Sequence, residues 1–390
     1  MLRLPEFGLI LLLLSPPAAL AQDITARYYP EKQEYLVGEP IVIVLELANN
    51  SSADIDIEDG HCYWEARDEF QVDNAPAKCA ASPPGGSCVM NYKRIAAGTK
   101  LRRRVLLAGP FDLGKPGTYH VEALGHVTLY QPGRRDEVIS DIDAKSEFEI
   151  VLREPNEGDL EAAYKPFLAD VGSADEEKSL FAVLALTQNP PRFLEDVIGN
   201  IVDARHDEFM GIDGLKRLGT SAARAKLIEL ASSADEWEAP RAMCALGELG
   251  NPDDCDAVLA IAAKGGASIQ AEAFSAAGHI CRERAVSLLA GLLPSVHQEL
   301  ARAIVSGLGD TSSRNAVPIL IELLASPDFV IRDDASEALM VLTHRATALE
   351  LFDPKQARQV HDDWREWWAA NSEKAAIYGP DECMQSNQRP

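Results

Sequence analysis

The N-terminal half of the chain, from residue 23 to residue 153, alternates hydrophobic and polar residues with a period of two. Its clearest segments are EYLVGEPIVIVLELANNSS, DIDIED, CYWEARDEFQV, KLRRRVLLAG, GKPGTYHVEALGHVTLY and KSEFEIVLRE. Such alternation turns one face of an extended strand towards a core and the other towards solvent, and Gly, Pro and Asn mark the turns. About seven short strands at this spacing predict an antiparallel β-sandwich over residues 22–153.

Two charged segments of this half have alternative interpretations. DIDIEDG starts at Asp54 and is rich in carboxylates, but an EF-hand calcium loop starting there needs glycine at its sixth position, where Asp59 stands. The alternating isoleucines also require an extended chain, so we predict a strand. The basic run KLRRR (100–104) is predicted to be the solvated face of a strand rather than a phosphate site.

The C-terminal half changes to alanine- and leucine-rich segments with short polar turns, and it repeats. The segments GLKRLGTSAARAKLIELA, ALGELGNPDDCDAVLAIA, AAGHICRERAVSLLAGLL and IVSGLGDTSSRNAVPILIELL each contain a helix end, a tight turn and a second helix. Their predicted turn positions, Gly219, Gly250, Cys281 and Gly309, recur at nearly equal intervals along the chain, and the last interval is slightly shorter than the others. Because one helix pair buries too little apolar surface to fold alone, we predict an α-solenoid over residues 157–371.

Both halves resemble known families. APRAMCALGELGNPDDCDAVLAIA and VIRDDASEALMVLTHR resemble HEAT repeats, in the short-repeat style of phycobilisome-lyase-like proteins. YLVGEPIVIVLELANNSS, IAAGTKLRRRVLL and KPGTYHVEA, with a corner around Tyr119, resemble bacterial immunoglobulin-like domains, including the proteinase-inhibitor type. The resemblance implies an immunoglobulin-like β-sandwich followed by a HEAT-like α-solenoid, and such repeats present binding surfaces rather than one defined chemistry.

Three tryptophans lie close together near the end of the predicted repeats. Trp364, Trp367 and Trp368 are spaced i, i+3 and i+4, so they form one stripe of a helix. Terminal repeats need an atypical unit that covers the exposed end of the core, and large indoles suit that role. We predict that these side chains form a structural cap; a ligand-binding platform is the alternative. The tail that follows, residues 372–390, is predicted to be irregular.

The segment of residues 1–21 has the pattern of a secretory signal peptide. Arg3 precedes a short apolar run, and Ala19-Leu20-Ala21 matches an A-x-A cleavage site. The apolar run is well short of the ~20 residues that span a bilayer. We expect cleavage, export to the periplasm or cell exterior, and no membrane insertion afterwards.

The formal charge of −24 is concentrated in the predicted repeats. Residues 23–153 hold 21 acidic and 15 basic residues, whereas residues 154–390 hold 39 acidic and 21 basic residues. Such a surface repels phosphate, so we expect no nucleic-acid partner. A protein or peptide partner of basic character suits it better.

Seven cysteines in an exported chain suggest disulfides and one remaining thiol. The candidate pairs are Cys79 with Cys88, which would close a short loop, and Cys255 with Cys281, which lie at consecutive predicted turns. The sequence does not determine the connectivity.

The motifs of common enzymes are missing from the sequence. It contains no H-E-x-x-H, G-x-S-x-G, P-loop or G-x-G-x-x-G segment, and it offers no catalytic, cofactor-binding or metal-binding residues. We therefore expect a non-enzymatic binding or scaffolding protein whose solenoid surface binds a protein or peptide. The alternatives are a proteinase inhibitor acting through the β-sandwich and a lyase-like catalytic solenoid.

Overall fold

The structure is a computed structural model that describes residues 23–58, 68–75, 92–107, 111–204, 208–233, 235–346 and 353–379. The predicted signal peptide lies outside these residues. The chain divides into two compact units, residues 1–166 and 167–390. Among the described residues, none of the helices has the length and apolar character needed to cross a bilayer.

The first unit is rich in β-strands, as predicted. Its described strands are β1 (Ile24–Pro30), β2 (Glu34–Leu36), β3 (Val42–Asn49), β4 (Ile55–Glu58), β5 (Asp68–Val72), β6 (Tyr92–Ile95), β7 (Lys100–Leu106), β8 (Gly117–Gln131) and β9 (Arg134–Arg153). β4 lies within the DIDIED segment, which is therefore extended as the alternation predicts.

The strands form two sheets. A three-stranded antiparallel sheet has the order β1-β3-β7, and a six-stranded sheet has the order β2-β9-β8-β4-β6, with β5 also paired to β8. β2 runs parallel to β9, whereas the other pairs are antiparallel. Inward side chains of both sheets share one hydrophobic core, in which the rings of Tyr28 and Phe70 meet edge to face at 6.1 Å.

The central strand of the three-stranded sheet, β3, is buried on both faces. Its outward residue Glu46 is only 3% exposed, yet it lies opposite Arg27 on one neighbour and Arg102 on the other. The Glu46 carboxylate accepts hydrogen bonds from Arg27 (2.9 Å), Lys100 (3.0 Å) and Arg102 (2.9 Å). Hydrogen bonds from Lys100 and then Arg102 lower the pKa of Glu46 to about 2. The long stems of these cations cover the strand while their charged groups stay in water.

The basic run of residues 100–104 therefore has two environments. Lys100 and Arg102 are about half exposed, as predicted for a solvated strand face. Arg103 points to the other side, where its guanidinium binds both carboxylate oxygens of Asp68 at 2.8 and 2.7 Å. The hydroxyl of Tyr28 also donates to Asp68. The alternation of hydrophobic and polar residues does not predict this charged network between the two sheets.

The rest of the described chain is helical. The thirteen described α-helices are α1 (Asp159–Asp170), α2 (Glu176–Gln188), α3 (Glu195–Asp203), α4 (Glu208–Leu218), α5 (Ser221–Ala231), α6 (Glu238–Leu249), α7 (Cys255–Lys264), α8 (Ala267–Cys281), α9 (Glu283–Leu292), α10 (Gln298–Asp310), α11 (Ala316–Leu323), α12 (Phe329–Thr343) and α13 (Pro354–Asn371). The boundary between the two units falls inside α1.

Helices α2 to α13 form two rows. The first row consists of the even-numbered helices α2, α4, α6, α8, α10 and α12, each packed against the next even-numbered helix. The second row consists of the odd-numbered helices α3 to α13 and has looser contacts between its members. Most helices also pack against a neighbour in sequence, whereas α13 packs against α11, so the two rows share one core. This two-row packing is the structural counterpart of the sequence repeat.

Glycine allows the helices of the first row to approach closely. Gly247 in α6 faces Ala276 in α8, Gly278 in α8 faces Gly307 in α10, and Gly309 in α10 faces Ala338 in α12. On both sides of the contact these positions recur at one constant interval along the chain. A Cβ on Gly309 would lie 2.9 Å from the Cβ of Ala338, closer than side chains normally pack.

Polar contacts link successive helix starts of the second row. We call this side of the helical unit the turn edge. Its links are Glu195 with Thr220, Arg224 with Asp254 (2.9 Å), Asp256 with Arg284 (2.5 Å), and Glu283 with Ser313 and Asn315. The second row is therefore tied mainly through side chains at the turns.

Two of the four predicted turn positions are wrong. Gly219 and Gly250 do end α4 and α6, with positive φ of 58° and 61°, because glycine lacks the Cβ that clashes there. Cys281 is still helical, and the positive φ of 52° belongs to Arg282. Gly309 lies inside α10, where its lack of a side chain serves the contact with Ala338, and Ser312 has the positive φ of 51°.

Candidate functional site

The solvent-facing side of the first-row helices is the candidate site, and we call it the first-row face. Its residues recur at the same spacing as the glycine contacts, so neighbouring helices place equivalent side chains side by side. The charged and polar side chains on this face include Asp213, Lys216, Arg241, Cys244, Glu248, Glu272, Ser275, His279, Arg302, Asp310, Asp333, Asp334 and Glu337.

Most cations of this face are already paired with neighbouring helices. Lys216 of α4 contacts Glu248 of α6 at 2.7 Å, and nearby carboxylates raise its pKa against the opposing effect of burial. Arg302 of α10 contacts Asp334 of α12 at 2.7 Å. The cations are thus held within the face and are not available to bind anions from solvent.

Several carboxylates of the same face have no such partner. Within the part of the chain that the structure describes, the side-chain carboxylates of Glu272, Asp333 and Glu337 form no hydrogen bond or ion pair. Glu272 is half-buried, and burial raises its pKa because the charged form loses hydration. A cation close to Glu272 would compensate for the hydration that its charged carboxylate loses on burial.

Cys244 is the free thiol of this face. Its sulfur lies 3.7 Å from a carboxylate oxygen of Glu248, and burial together with Glu248 and Glu272 raises the pKa of the thiol to about 11. A thiolate nucleophile needs the opposite environment, with nearby positive charge. The surroundings of Cys244 therefore disfavour its thiolate form.

Ser275, His279 and Asp310 also come together, but in an order that does not activate the serine. The carboxylate of Asp310 accepts a hydrogen bond from Ser275 Oγ at 3.2 Å and lies 3.3 Å from His279 Nε2. In a catalytic triad the histidine stands between serine and carboxylate and accepts the serine proton. Here the carboxylate is central, so the cluster is a polar link between α8 and α10.

One exposed aromatic residue borders the face. The guanidinium of Arg241 in α6 lies 3.4 Å from the ring centroid of Phe209 in α4, and Phe209 is 36% exposed. A stacked guanidinium and ring form a flat, partly apolar surface at the edge of an acidic region. Such a surface suits contact with an extended peptide.

The predicted indole cap lies in α13, the last helix of the second row. Trp364 is 2% exposed, and Trp367 and Trp368 are half-buried, so none of the three projects freely into solvent. The rings of Trp364 and Trp367 meet edge to face at 5.4 Å. The guanidinium of Arg345 lies 4.5 Å from the centroid of Trp364 and 4.9 Å from that of Trp367. Whether this cluster serves as a cap stays a prediction, and its geometry is that of packed side chains.

The two disulfide candidates differ in what the structure describes. Cys79 and Cys88 lie outside the described residues. Cys255, at the start of α7, and Cys281, at the end of α8, are buried with Cα atoms 5.1 Å apart and sulfur atoms placed for a bond. Among the described residues, no group of three or more His, Cys, Asp or Glu is arranged to hold a metal ion.

Comparisons with known proteins give only a distant structural likeness. No family model matches the chain, and no curated protein matches it in sequence. Among solved structures, an engineered protein is 17% identical over 46% of this chain and 95% of its own, with a TM-score of 0.29. The complex of CpcE and CpcF of phycocyanin lyase from Nostoc is 17% identical over 52% of this chain and 83% of that chain, with a TM-score of 0.30.

Proposed function

We propose that the protein is an exported, non-enzymatic binding protein whose helical unit is a HEAT-like solenoid and binds a basic, extended peptide or protein segment on the first-row face. The observation that carries this proposal is the half-buried carboxylate of Glu272, whose pKa is raised by burial and which has no cation among the described residues.

The charge distribution of the two rows supports a basic partner. By sequence, the six first-row helices hold twelve acidic and six basic residues, whereas the six second-row helices hold ten acidic and seven basic residues. The first row also has the closer helix packing, which keeps the spacing of the unpaired carboxylates constant. A rigid, complementary surface gives specificity and a fast association rate.

Features of the β-rich unit support the proposed immunoglobulin-like fold. The hydroxyl of Tyr119, near the start of β8, donates to the carbonyl of Lys115 at 2.9 Å, four residues upstream. A tyrosine that bonds back to the chain in this way is typical of immunoglobulin-like sandwiches. The buried pair Cys255 and Cys281 is compatible with an oxidising compartment outside the cytoplasm.

The lyase-like alternative lacks an activated group on this face. Burial and the neighbouring carboxylates raise the pKa of the Cys244 thiol, and the hydroxyl of Ser275 donates to Asp310. The proposal therefore assigns this face to binding without covalent chemistry.

The proposal is tested by measuring fluorescence anisotropy of a short labelled peptide of alternating lysine and serine with the full chain. The comparison peptide has glutamate in place of lysine. Because one exposed ion pair contributes about 0.2–1 kcal/mol, the double variant Glu272→Gln/Glu337→Gln, which removes two, should weaken binding about twofold to thirtyfold. The control is Glu366→Gln, which removes an exposed carboxylate from the second-row helix α13. Equal affinity for the two peptides, or an equal loss in the control, would refute the proposal.

A further inference from the structure

Every first-row helix from α4 to α12 is followed by a residue with positive φ, but the residue type changes along the row. The first two turns have glycine, at Gly219 and Gly250. The next three have Arg282, Ser312 and His344, with φ of 52°, 51° and 53°. These turns are equivalent in the repeat, so glycine would serve all five.

A side chain at such a position requires an explanation. L-residues other than glycine meet a clash between Cβ and the backbone there, and arginine gains nothing locally from it. Arg282, with ψ of −126°, also lies outside the left-handed helical region that His344 occupies. Strained residues persist where the surrounding structure fixes them, and they are concentrated at binding sites and switch regions. The contacts of these three side chains therefore bear on function.

These contacts involve the segment after α13, residues 372–379, which we call the C-terminal strap. It runs back along the turn edge and is held by its main chain. The guanidinium of Arg314 donates to the carbonyl of Ser372 and, at 2.6 Å, to that of Ala375. The amide of Tyr378 donates to the carbonyl of Leu342 at 2.9 Å. Arg314 thus holds the turn that follows α13, residues 372–374, through main-chain carbonyls, and residues 375–379 continue from it without regular secondary structure.

All three strained turns meet the end of this strap. The ring of Tyr378 stacks on the imidazole of His344 with centroids 3.6 Å apart and planes 5° from parallel. Gly379 lies against Ser312 Oγ, and a Cβ on Gly379 would lie 3.2 Å from the guanidinium of Arg282. Arg282 donates in turn to Ser312 Oγ at 2.5 Å. The turns therefore hold an aromatic side chain on His344 and the main chain of the next residue beside Ser312 and Arg282.

From these contacts we propose that Arg282, Ser312, Arg314 and His344 form a peptide-binding site on the turn edge, which the protein's own strap occupies at rest and which a partner segment that presents an aromatic side chain to His344 takes over. This site is separate from the first-row face, and it does not depend on the function proposed for that face. Glu373, Lys374 and Ala376 of the strap are partly or fully exposed, so a partner can differ from the strap at those positions.

The test uses the full chain and a fluorescent peptide NSEKAAIYG, which is the strap sequence preceded by Asn371. In the wild-type protein the strap competes, and the apparent affinity of the peptide falls by the fraction of sites that are filled. Tyr378→Ala removes the stack from the protein's own strap. Because an aromatic pair and its buried area hold the strap, this variant should bind the peptide about tenfold more tightly than wild type.

Two further variants assign the effect to the site. His344→Ala added to Tyr378→Ala should return peptide binding to the wild-type level or below. Glu373→Ala, a change at an exposed strap position, should bind the peptide as wild type does. Hydrogen exchange should show that Tyr378→Ala exposes the amides of residues 375–379 and leaves α8 and α10 protected.

Three results would overturn the proposal. One is peptide binding to Tyr378→Ala that is no tighter than binding to wild type. Another is tighter binding that persists after His344 is replaced. The third is a wild-type protein that light scattering shows to be a dimer and that dissociates on Tyr378→Ala, since the strap would then belong to a second copy.

Discussion

Gly278 is the position at which the close packing of the first row can be tested most directly. Alanine in place of glycine inside a helix normally raises the free energy of unfolding by about 0.5–1 kcal/mol. At Gly278 the new Cβ would overlap the carbonyl oxygen of Gly307 and would lie 3.0 Å from the carbonyl carbon and 2.9 Å from Asp310 Cβ. Backbone atoms cannot rotate away as a side chain can, so α8 and α10 would have to separate.

The expected cost of Gly278→Ala follows from this geometry. Overpacking a closely packed contact costs about 1–3 kcal/mol, and the gain in helix propensity offsets part of it. We therefore expect the free energy of unfolding to fall by about 1–2 kcal/mol. Urea denaturation followed by far-ultraviolet circular dichroism measures it, because that signal comes mainly from the helical unit.

Gly199→Ala is the matched control. Gly199 lies in the middle of α3, and a Cβ there would meet nothing within 4 Å. This variant should gain about 0.5–1 kcal/mol, so the two glycine-to-alanine changes should have opposite signs. If Gly278→Ala is as stable as Gly199→Ala, with the same helical content, the two helices do not cross as closely as described.

Three other predictions concern single side chains. The pKa of Glu46 is lowered from 4.5 to about 2 in the folded protein. The ionised carboxylate therefore contributes about 1–2 kcal/mol to the free energy of unfolding, after screening at the half-exposed cations, and this contribution is present above pH 4.5 and lost as the pH falls towards 2. Acid unfolding of Glu46→Gln should lack this loss. Trp364→Ala should lower the free energy of unfolding by about 3–5 kcal/mol and Trp368→Ala by clearly less, since Trp364 is 2% exposed and Trp368 is half-buried; equal losses in urea titrations would contradict this. The thiol of Cys244, with a pKa raised to about 11, should react with iodoacetamide at a rate that still rises above pH 9, as site-resolved mass spectrometry can measure; a plateau near neutral pH would show a thiolate instead.

The repeat in the sequence predicts the helices well because most of them bury a stripe of aliphatic residues. It also contains a signal for the first-row contacts, since Gly247, Gly278 and Gly309 recur at one constant interval. We assigned Gly309 to a turn because glycine after leucine is typical of a helix end. A glycine that ends a helix and one that lets two helices touch have the same sequence context, and only the packing distinguishes them.

Other features depend on register or on strain and therefore have no sequence signal. Glu46 has its three cations only because β1, β3 and β7 pair in one register, which alternation alone does not set. The positive φ of Arg282 and Ser312 contradicts local preference, so sequence reasoning placed the turn one residue too early at Cys281. The carboxylate surplus of the repeats was visible in composition, whereas the unpaired state of Glu272 required the neighbouring helices.

The two rows are held by different forces, and this difference assigns different roles to the two surfaces. Backbone contact at the glycine positions fixes the distance between first-row helices, because nothing between them can change rotamer. The turn edge is linked through side chains, some of them buried, such as Asp254 and Ser313, and others exposed, such as Arg284 and Asp256, which can rearrange at small cost. A ligand of the kind proposed for the first-row face would therefore meet a preformed surface. A peptide that replaces the strap at Arg282, Ser312 and His344 would instead change how three consecutive turns are tied together, and we expect the second row to move against a first row that stays in place.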